Sequence, residues 1–200
     1  MFCSLNEAIQ DLKEGKLICI SDTEDTENEI DMMCLGIHAT PQNINYMITY
    51  ARGLVCCSMS SEIVDKLLLN PQRAQGNQDK RGTPFYESLD LKTADTGVSA
   101  YERSDTILHL ASGNAKRDDF ISPAHTMTLR AKPMLLDERI GHTEFSVQMA
   151  KLCDVNAVAV ICEIIKDDGT MLRVNEFEEW NKNHNLKLYS IKQLIEHLKK

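Results

Sequence analysis

Hydrophobic and polar positions along this chain switch between helical and strand spacing, and the switches predict its first elements. Ser4 opens a capping-box pattern that leads into apolar residues at helical spacing, and Gly15 ends the segment. Residues 17–20 and 32–37 are short apolar runs typical of buried strands. A first helix is therefore predicted to precede two strands that flank a polar segment.

The same two kinds of spacing continue to the end of the chain without a repeat period. Helices are predicted at 41–51, 61–69, 99–112, 175–183 and 190–199, and strands at 54–59, 85–91, 156–164 and 186–189. The segment 70–84 is polar and carries Pro, Gly, Asn and Gln, so we predict a mobile loop there. Alternating strands and helices with no internal boundary predict one domain over residues 1–200, of the α/β or α+β class, with a mixed sheet.

Composition excludes several classes of protein. A chain of 200 residues that is 42% hydrophobic and 26% charged can bury a sizeable core. No apolar run approaches the roughly eighteen residues of a membrane span, and the N-terminus does not look like a signal peptide, so we expect a cytoplasmic protein without membrane contact. The net charge of −8 argues against a nucleic-acid-binding surface, although a small anionic substrate is compatible with it. Seven cysteines without a CxxC pair are predicted to be reduced and mainly in the core.

Negative charge is concentrated in residues 22–31, where six carboxylates occupy ten positions and no Lys or Arg occurs between residues 17 and 51. Two like charges about 4 Å apart repel by about 4 kcal/mol at an effective dielectric constant near 20. A divalent ion such as Mg²⁺, or a cationic side chain from a distant segment, would offset this repulsion. The alternative is that all six side chains are solvated on a surface loop. An EF-hand is excluded, because Glu27 stands at the sixth position, which requires Gly.

Groups suited to an anion are concentrated in residues 139–143. Arg139 offers donors for a phosphate, Gly141 lets a ligand approach the backbone, and Thr143 adds a hydroxyl where a helix begins. His142 is a candidate metal ligand, although a histidine at such a turn is more often a polar surface or capping residue.

Two further features are ambiguous on their own. Glu163 ends a predicted strand, and active sites of α/β proteins gather at strand ends, but a carboxylate there is usually solvated. Residues 96–99 precede a predicted helix that a second capping-box pattern opens at Ser99, and its first-turn amides could hold an anion. Loop-to-helix turns that contain Gly and Ser are nevertheless common.

Six motifs, taken together and in order, resemble one family. They are Asp22-x-Glu-Asp-x-Glu-Asn-Glu-x-Asp31, Gly53-Leu-Val-Cys56, Thr96-Gly-Val-Ser-Ala-x-x-Arg103, His125-x-x-x-Leu-Arg-Ala131, Arg139-x-Gly-His-Thr-Glu144, and Ile161-Cys-Glu163 with Asp168-Gly-Thr-Met171. Each motif is weak alone, but their order and spacing hold from about residue 8 to the last predicted helix. The sequence therefore resembles the 3,4-dihydroxy-2-butanone 4-phosphate synthases of riboflavin biosynthesis.

The resemblance implies an α+β fold and a homodimer with active sites at the subunit interface. It implies a lyase that needs Mg²⁺, with Mn²⁺ as an alternative, and converts D-ribulose 5-phosphate into 3,4-dihydroxy-2-butanone 4-phosphate and formate. By position, Glu27 and His142 would bind the metal ion. Asp31, His125 and Glu163 would be catalytic.

The resemblance also implies which residues bind the sugar phosphate, with Arg139 and Thr143 on the phosphate group. The implied substrate-binding residues are Thr26, Glu27, Asp31, Arg139, Ile140, Gly141, His142 and Thr143.

The chain departs from the family pattern near these residues. Thr26 stands where the family usually has Arg, which removes the cation inside the acidic segment and makes compensation by a metal ion more necessary. Ile30 replaces a usual Gly, and a positive φ there would strain a β-branched residue by about 1 kcal/mol or more. We therefore expect the loop to take another path. A usual Gly-Gly is replaced within residues 134–138, and Ile140 stands where a small residue is common.

Three hypotheses follow: an active synthase with a remodelled loop, a diverged lyase or isomerase that acts on another sugar phosphate, and a catalytically silent paralogue that binds a ligand or a partner enzyme. The third is disfavoured, since a silent protein has no physical need to keep an unpaired acidic cluster together with His125 and His142. We expect no second, GTP-opening domain of the kind sometimes fused to this family.

Overall fold

One mixed sheet of seven strands organises the computed structural model, which describes residues 2–22, 28–72 and 82–199. The strands are β1 Ile18–Ser21, β2 Ile30–Leu35, β3 Cys56–Met59, β4 Phe85–Leu91, β5 Phe120–Arg130, β6 Val158–Glu163 and β7 Leu188–Ser190. They lie in the order β4-β5-β3-β6-β2-β1-β7. The pairs β1–β7 and β3–β5 are parallel, whereas the other four pairs are antiparallel. The predicted mixed sheet and the α+β class are confirmed.

Helices cover both faces of this sheet. They are α1 Leu5–Lys13, α2 Pro41–Tyr46, α3 Ser61–Lys66, α4 Ala100–Ala111, α5 His142–Leu152, α6 Phe177–Asn181 and α7 Ile191–Leu198. A π-helical turn, Met47–Ala51, continues α2. Capping boxes at Ser4 and Ser99 start α1 and α4 as the sequence predicts. None of the helices in the described ranges is both long and apolar enough to cross a membrane.

The two faces of the sheet belong to two separate apolar clusters. One cluster contains side chains of α1, α5 and α7, and the other contains side chains of α2, α3, α4 and α6. Ile161 of β6 and Met33 of β2 pack in the cluster that contains Phe145 of α5. Because strand side chains alternate between faces, Asp31 and Glu163 also point toward α5. The strand pattern thus places two carboxylates beneath one helix.

Ile30, which stands where the family usually has glycine, does not have a positive φ and is not strained. It is the first residue of β2, pairs with Ser21 and is fully buried. A positive φ occurs instead at Asn28, where φ is 52°. Asparagine tolerates this region better than β-branched residues do, so the chain turns before Ile30 and the isoleucine contributes to the core.

The longest strand, β5, is not predicted by the hydrophobic pattern. Its centre carries the polar side chains of Thr126 and Thr128, both fully buried, and its pairing with β4 contains register shifts. Buried hydroxyls and an irregular ladder hide the alternation by which a strand is usually recognised. The predicted mobile loop lies largely outside the description, which omits residues 73–81.

All seven cysteines are free, and every one except the half-buried Cys3 is buried. Burial raises the pKa of the Cys19 and Cys34 thiols above the ordinary value. Neutral thiols in the core act as small apolar side chains, as the sequence predicts.

Candidate active site

A pocket of about 320 Å³ opens between the N-terminus of α5 and the ends of β2 and β6. It brings together seven of the predicted site residues: Asp31, Arg139, Ile140, Gly141, His142, Thr143 and Glu163. His125 does not line it. Thr26 and Glu27, which the resemblance places on substrate and metal, lie outside the described residues.

Two carboxylates face each other at the floor of this pocket. Asp31 of β2 pairs directly with Glu163 of β6 in the antiparallel ladder. The Nδ1 atom of His142, the first residue of α5, lies 3.2 Å from Asp31 Oδ1, and both side chains are buried. The arrangement places two acids and one imidazole within reach of a single ligand.

The environment of Glu163 makes it a suitable proton carrier at neutral pH. Burial, and secondly the charge of Asp31, raise the pKa of Glu163 to about 7, against the opposing influence of His142. The amide of Leu54 donates a hydrogen bond of 2.9 Å to Glu163 Oε2. A general acid–base group works best when its pKa lies near the working pH.

Gly53 allows this amide to approach the carboxylate. A Cβ atom at position 53 would lie 2.3 Å from the Glu163 carbonyl oxygen and 2.7 Å from Oε2, which no side chain can occupy. Cys56, three residues further on, lines the pocket. The motif at residues 53–56 therefore contributes the Leu54 amide and Cys56 to the site, although the sequence alone predicts no role for these residues.

The negative charge of the acidic segment is offset in part by Arg173, a cation from a distant part of the chain. Arg173 Nη1 lies 3.4 Å from Glu29 Oε1 and donates to the carbonyl oxygen of Asn28 at 3.2 Å. Asp22 accepts the amide of Glu29 at 2.9 Å. Asp22 and Asp31 are buried and Glu29 is half-buried, so the alternative that all six carboxylates are solvated is wrong.

The N-terminus of α5 offers backbone donors to an anion. The helix begins at His142 after Gly141, which has no side chain of its own to cap it. First-turn amides and the positive end of a helix dipole together favour negative charge. The hydroxyl-bearing Thr143 is buried and lines the pocket, and the half-exposed Ile140 lies at its rim.

Arg139 is anchored to the same helix by a buried acid. Its Nη1 donates to Glu144 Oε2 at 2.6 Å, and Glu144 Oε1 accepts the amide of Lys132 at 3.1 Å. A Cβ atom at position 141 would lie 2.2 Å from Arg139 Nη1. Gly141 therefore makes room for the Arg139–Glu144 pair, with an extended φ of −161° that any residue could adopt.

The turn at residues 96–99 satisfies its own donors. The Glu102 carboxylate accepts the amides of Asp95 at 2.8 Å and Thr96 at 3.0 Å, and it also binds Ser99. Hydrogen bonds from the Gly97 backbone, the Ser99 side chain and these two amides lower the pKa of Glu102 to about 2. The geometry favours an ordinary capping turn over a phosphate site, because the chain's own carboxylate occupies the place of an anion.

His125 lies on β5, outside the pocket. Its Nδ1 is 2.6 Å from Asp90 Oδ2 of β4, and its amide donates to Asp90 Oδ1 at 3.1 Å. The imidazole is half exposed, whereas the carboxylate is buried. Asp90 is a partner that the sequence reasoning missed, since a single Asp in a weak strand pattern carries no signal of its own.

The described residues alone do not complete a metal centre. Within residues 2–22, 28–72 and 82–199, no cluster of three or more His, Cys, Asp or Glu side chains has the geometry to hold a metal ion. The predicted pair of metal ligands is only half described, because His142 is in the pocket and Glu27 lies outside the described ranges.

Comparison with known proteins agrees with this fold. Residues 6–197 match the family model of 3,4-dihydroxy-2-butanone 4-phosphate synthase. The riboflavin biosynthesis protein RibBA of Aquifex aeolicus (strain VF5) is 43% identical over 199 residues, and RibBA of Bacillus subtilis (strain 168) is 44% identical over 197 residues. Each match covers 98% of this chain and 49% of the relative, so the chain spans about half the length of these proteins.

Solved structures give the same result. A two-domain 3,4-dihydroxy-2-butanone 4-phosphate synthase from A. baumannii, RibBX, superimposes with a TM-score of 0.91 at 37% identity, over 98% of this chain and 57% of that one. The synthase of Candida albicans gives 0.90 at 35% identity and covers 100% of both chains. A synthase in complex with two magnesium ions gives 0.91 at 30% identity, over 98% of this chain and 97% of that one.

Fold and pocket define an α+β protein with buried carboxylates set opposite a helix N-terminus. The chain belongs to the 3,4-dihydroxy-2-butanone 4-phosphate synthase family.

Proposed function

We propose that this chain converts D-ribulose 5-phosphate into 3,4-dihydroxy-2-butanone 4-phosphate and formate. The observation that carries the proposal is the placement of Asp31, Glu163 and His142 in one pocket with Arg139 and the N-terminus of α5. The names of the relatives, riboflavin biosynthesis proteins, support a role in that pathway.

The sugar phosphate enters this pocket with its phosphate toward α5. Arg139, the Thr143 hydroxyl and the amides of the first turn supply charge and hydrogen bonds for the phosphate oxygens. The carbon skeleton then lies over Asp31 and Glu163, which are buried on the same face of the sheet.

The carboxylates supply the proton transfers that this reaction requires. Enolisation needs a base beside the carbon-bound proton, and the loss of water needs an acid beside the departing hydroxyl. Glu163, whose pKa of about 7 lets it hold or release a proton at neutral pH, suits both tasks. Asp31, beside His142, moves protons at the substrate from the opposite strand.

A divalent ion fits the chemistry of this site. Glu27 and His142 would hold Mg²⁺ or Mn²⁺, and the ion, when bound, would stabilise oxyanions as a Lewis acid. The fit rests on Asp31 and Glu163, whose mutual repulsion contributes to the raised pKa of Glu163 and would be relieved by a cation. The family member crystallised with two magnesium ions supports this assignment.

The active form is a homodimer in which His125 reaches the pocket of the second copy. Within one chain His125 does not line the pocket, yet its imidazole is half exposed and its Nδ1 lies against Asp90. A contribution from a second copy gives this exposed side chain access to a substrate.

The test is incubation of the purified chain with ribulose 5-phosphate, with products followed by NMR in the presence of Mg²⁺ and then with excess chelator. The proposal predicts formate and a four-carbon phosphorylated ketone in equal amounts, and neither when the metal ion is removed. A folded, Mg²⁺-binding protein that releases no formate would contradict it and favour a reaction on another sugar phosphate.

A further inference from the structure

The pairing of β4 with β5 is irregular where it presents His125. Leu89 pairs with Thr126, but the next residue, Asp90, pairs with Ile121, so the β5 residues between these partners leave the regular ladder. Such irregularities re-aim side chains away from the alternating pattern of a strand. In this irregular stretch the His125 ring lies within hydrogen-bond distance of the Asp90 carboxylate.

Asp90 binds His125 at two points. One carboxylate oxygen accepts the His125 amide at 3.1 Å, and the other lies 2.6 Å from Nδ1 of the ring. A carboxylate accepts and does not donate, so a neutral imidazole held in this way carries its proton on Nδ1. Its Nε2 atom is then left as a base.

The Asp90 carboxylate that binds His125 is enclosed by its surroundings. The Asp90 side chain is 3% exposed, whereas the His125 side chain is 51% exposed. A Cβ atom at Gly97, where φ is +75°, would lie 1.8 Å from Asp90 Oδ2 and 2.7 Å from His125 Nδ1. The turn before α4 therefore closes over the carboxylate and requires glycine for both its backbone conformation and its close approach.

We propose that Asp90 is a positioning residue, which fixes His125 as the Nδ1–H tautomer and presents Nε2 to the substrate. This inference rests on the proposed function only for the catalytic task of His125; the tautomer itself is a property of the free protein. Asp90 touches no substrate, since its buried carboxylate is covered by His125 and by the turn at Gly97.

Asp90→Asn isolates this task from a purely structural one. The asparagine carbonyl can still accept the His125 amide, but its NH₂ group donates to the ring and so requires an unprotonated Nδ1. The exchange is nearly equal in volume, and it is expected to shift His125 to the Nε2–H tautomer. The base would then be lost from the side that faces a substrate.

The chain contains a matched control. His109 Nε2 lies 2.8 Å from Asp119 Oδ2, outside the pocket, so this pair should hold the opposite tautomer. Asp119→Asn removes an Asp–His pair of the same kind without touching His125. It is expected to leave formate release at the wild-type rate.

The experiment is long-range ¹H–¹⁵N correlation NMR of the full chain labelled with ¹⁵N-histidine, at an alkaline pH where imidazole is ordinarily neutral. His125→Gln assigns the His125 signals by their loss. We expect wild type and Asp119→Asn to show Nδ1–H at His125, and Asp90→Asn to show Nε2–H with a fall in kcat of at least about tenfold at little change in KM.

A wild-type His125 with the proton on Nε2 would overturn the inference, as would an unchanged tautomer in Asp90→Asn. The wild-type tautomer is read without Asp90→Asn, so a misfolded Asp90→Asn protein leaves the test intact. If the tautomers are as expected but wild type forms no formate from ribulose 5-phosphate, the proposed function fails and the positioning of His125 stands.

Discussion

Asp31 and Glu163 lie directly opposite each other on β2 and β6, on the face of the sheet that α5 covers. Like charges in such a cross-strand pair destabilise a sheet. Here burial raises the pKa of Glu163 to about 7, with the charge of Asp31 as the second cause. The pair therefore reduces stability at the place where we propose proton transfer and cation binding.

The stability of the chain should depend on pH through Glu163. The pKa of a glutamate in the unfolded chain is 4.5, and that of Glu163 in the folded chain is about 7. Between these two pH values the unfolded state therefore binds fewer protons than the folded state. The free energy of unfolding contributed by this group then falls as pH rises from about 4.5 to 7. Glu163→Gln cannot ionise, and its stability relative to wild type should rise over this window by an amount on the order of 2 kcal/mol.

Urea unfolding at pH 5 and pH 8 in the presence of a chelator measures this difference. Glu196→Gln, which changes an exposed glutamate on α7, is the control and should show no such rise. An identical pH dependence in wild type and Glu163→Gln would mean that Glu163 ionises normally in the folded protein.

Glu144→Gln should weaken substrate binding. Glu144 is fully buried and holds Arg139 through a hydrogen bond of 2.6 Å between charged groups. Loss of the negative charge frees the guanidinium to leave the pocket wall, and we expect KM for the sugar phosphate to rise by about tenfold. Steady-state kinetics provide the measurement.

The matched control is Glu179→Gln, which removes the exposed ion pair of Glu179 with Lys182 and should leave KM unchanged. A Glu144→Gln protein with a normal KM and a normal unfolding midpoint would show that Arg139 needs no anchor.

Gly53→Ala should destabilise the chain by about 2 kcal/mol or more, since the new Cβ would lie 2.3 Å from a backbone oxygen that cannot easily move. Gly82→Ala is a useful comparison, because Gly82 has a positive φ but no atom of the described residues lies within 4 Å of its Cβ position. Its cost is limited to backbone strain of about 1 kcal/mol. Equal urea midpoints for the two variants would contradict the close packing at Glu163.

A shared active site predicts complementation between two inactive variants. His125→Ala and Glu163→Gln each inactivate every site of their own homodimer. In a mixed dimer, one of the two sites receives His125 from one copy and Glu163 from the other. Equal mixing with free exchange of subunits should restore about a quarter of the wild-type activity. Mixtures that stay inactive although subunits exchange would place His125 and Glu163 of the same chain in one site.

The elements with clear periodicity were predictable from sequence, and those that depend on pairing were not. The helix caps at Ser4 and Ser99 are local signals, and the structure confirms them. β5 was missed because Thr126 and Thr128 are polar residues that its neighbours bury. A strand stabilised by its partners leaves little trace in its own pattern.

The residues of the site also divide into those with a local sequence signal and those brought together by strand pairing. Residues 139–143 contribute to the pocket as one continuous segment, so their motif could be read directly. The contact of Asp31 with Glu163 is set by the register of two strands, and that of Asp90 with His125 by an irregular ladder. Neither register follows from spacing along the chain, and so the pKa of Glu163 and the partner of His125 required the structure.

The most direct test of the account is the rate of formate release from ribulose 5-phosphate with Mg²⁺, compared between wild type and Glu163→Gln. General acid–base catalysis contributes about 10²- to 10⁴-fold, so we expect wild type to release formate and the variant to lose at least about a hundredfold in kcat while still binding the sugar phosphate. A Glu163→Gln protein that releases formate as fast as wild type would contradict the assignment of this pocket as the active site.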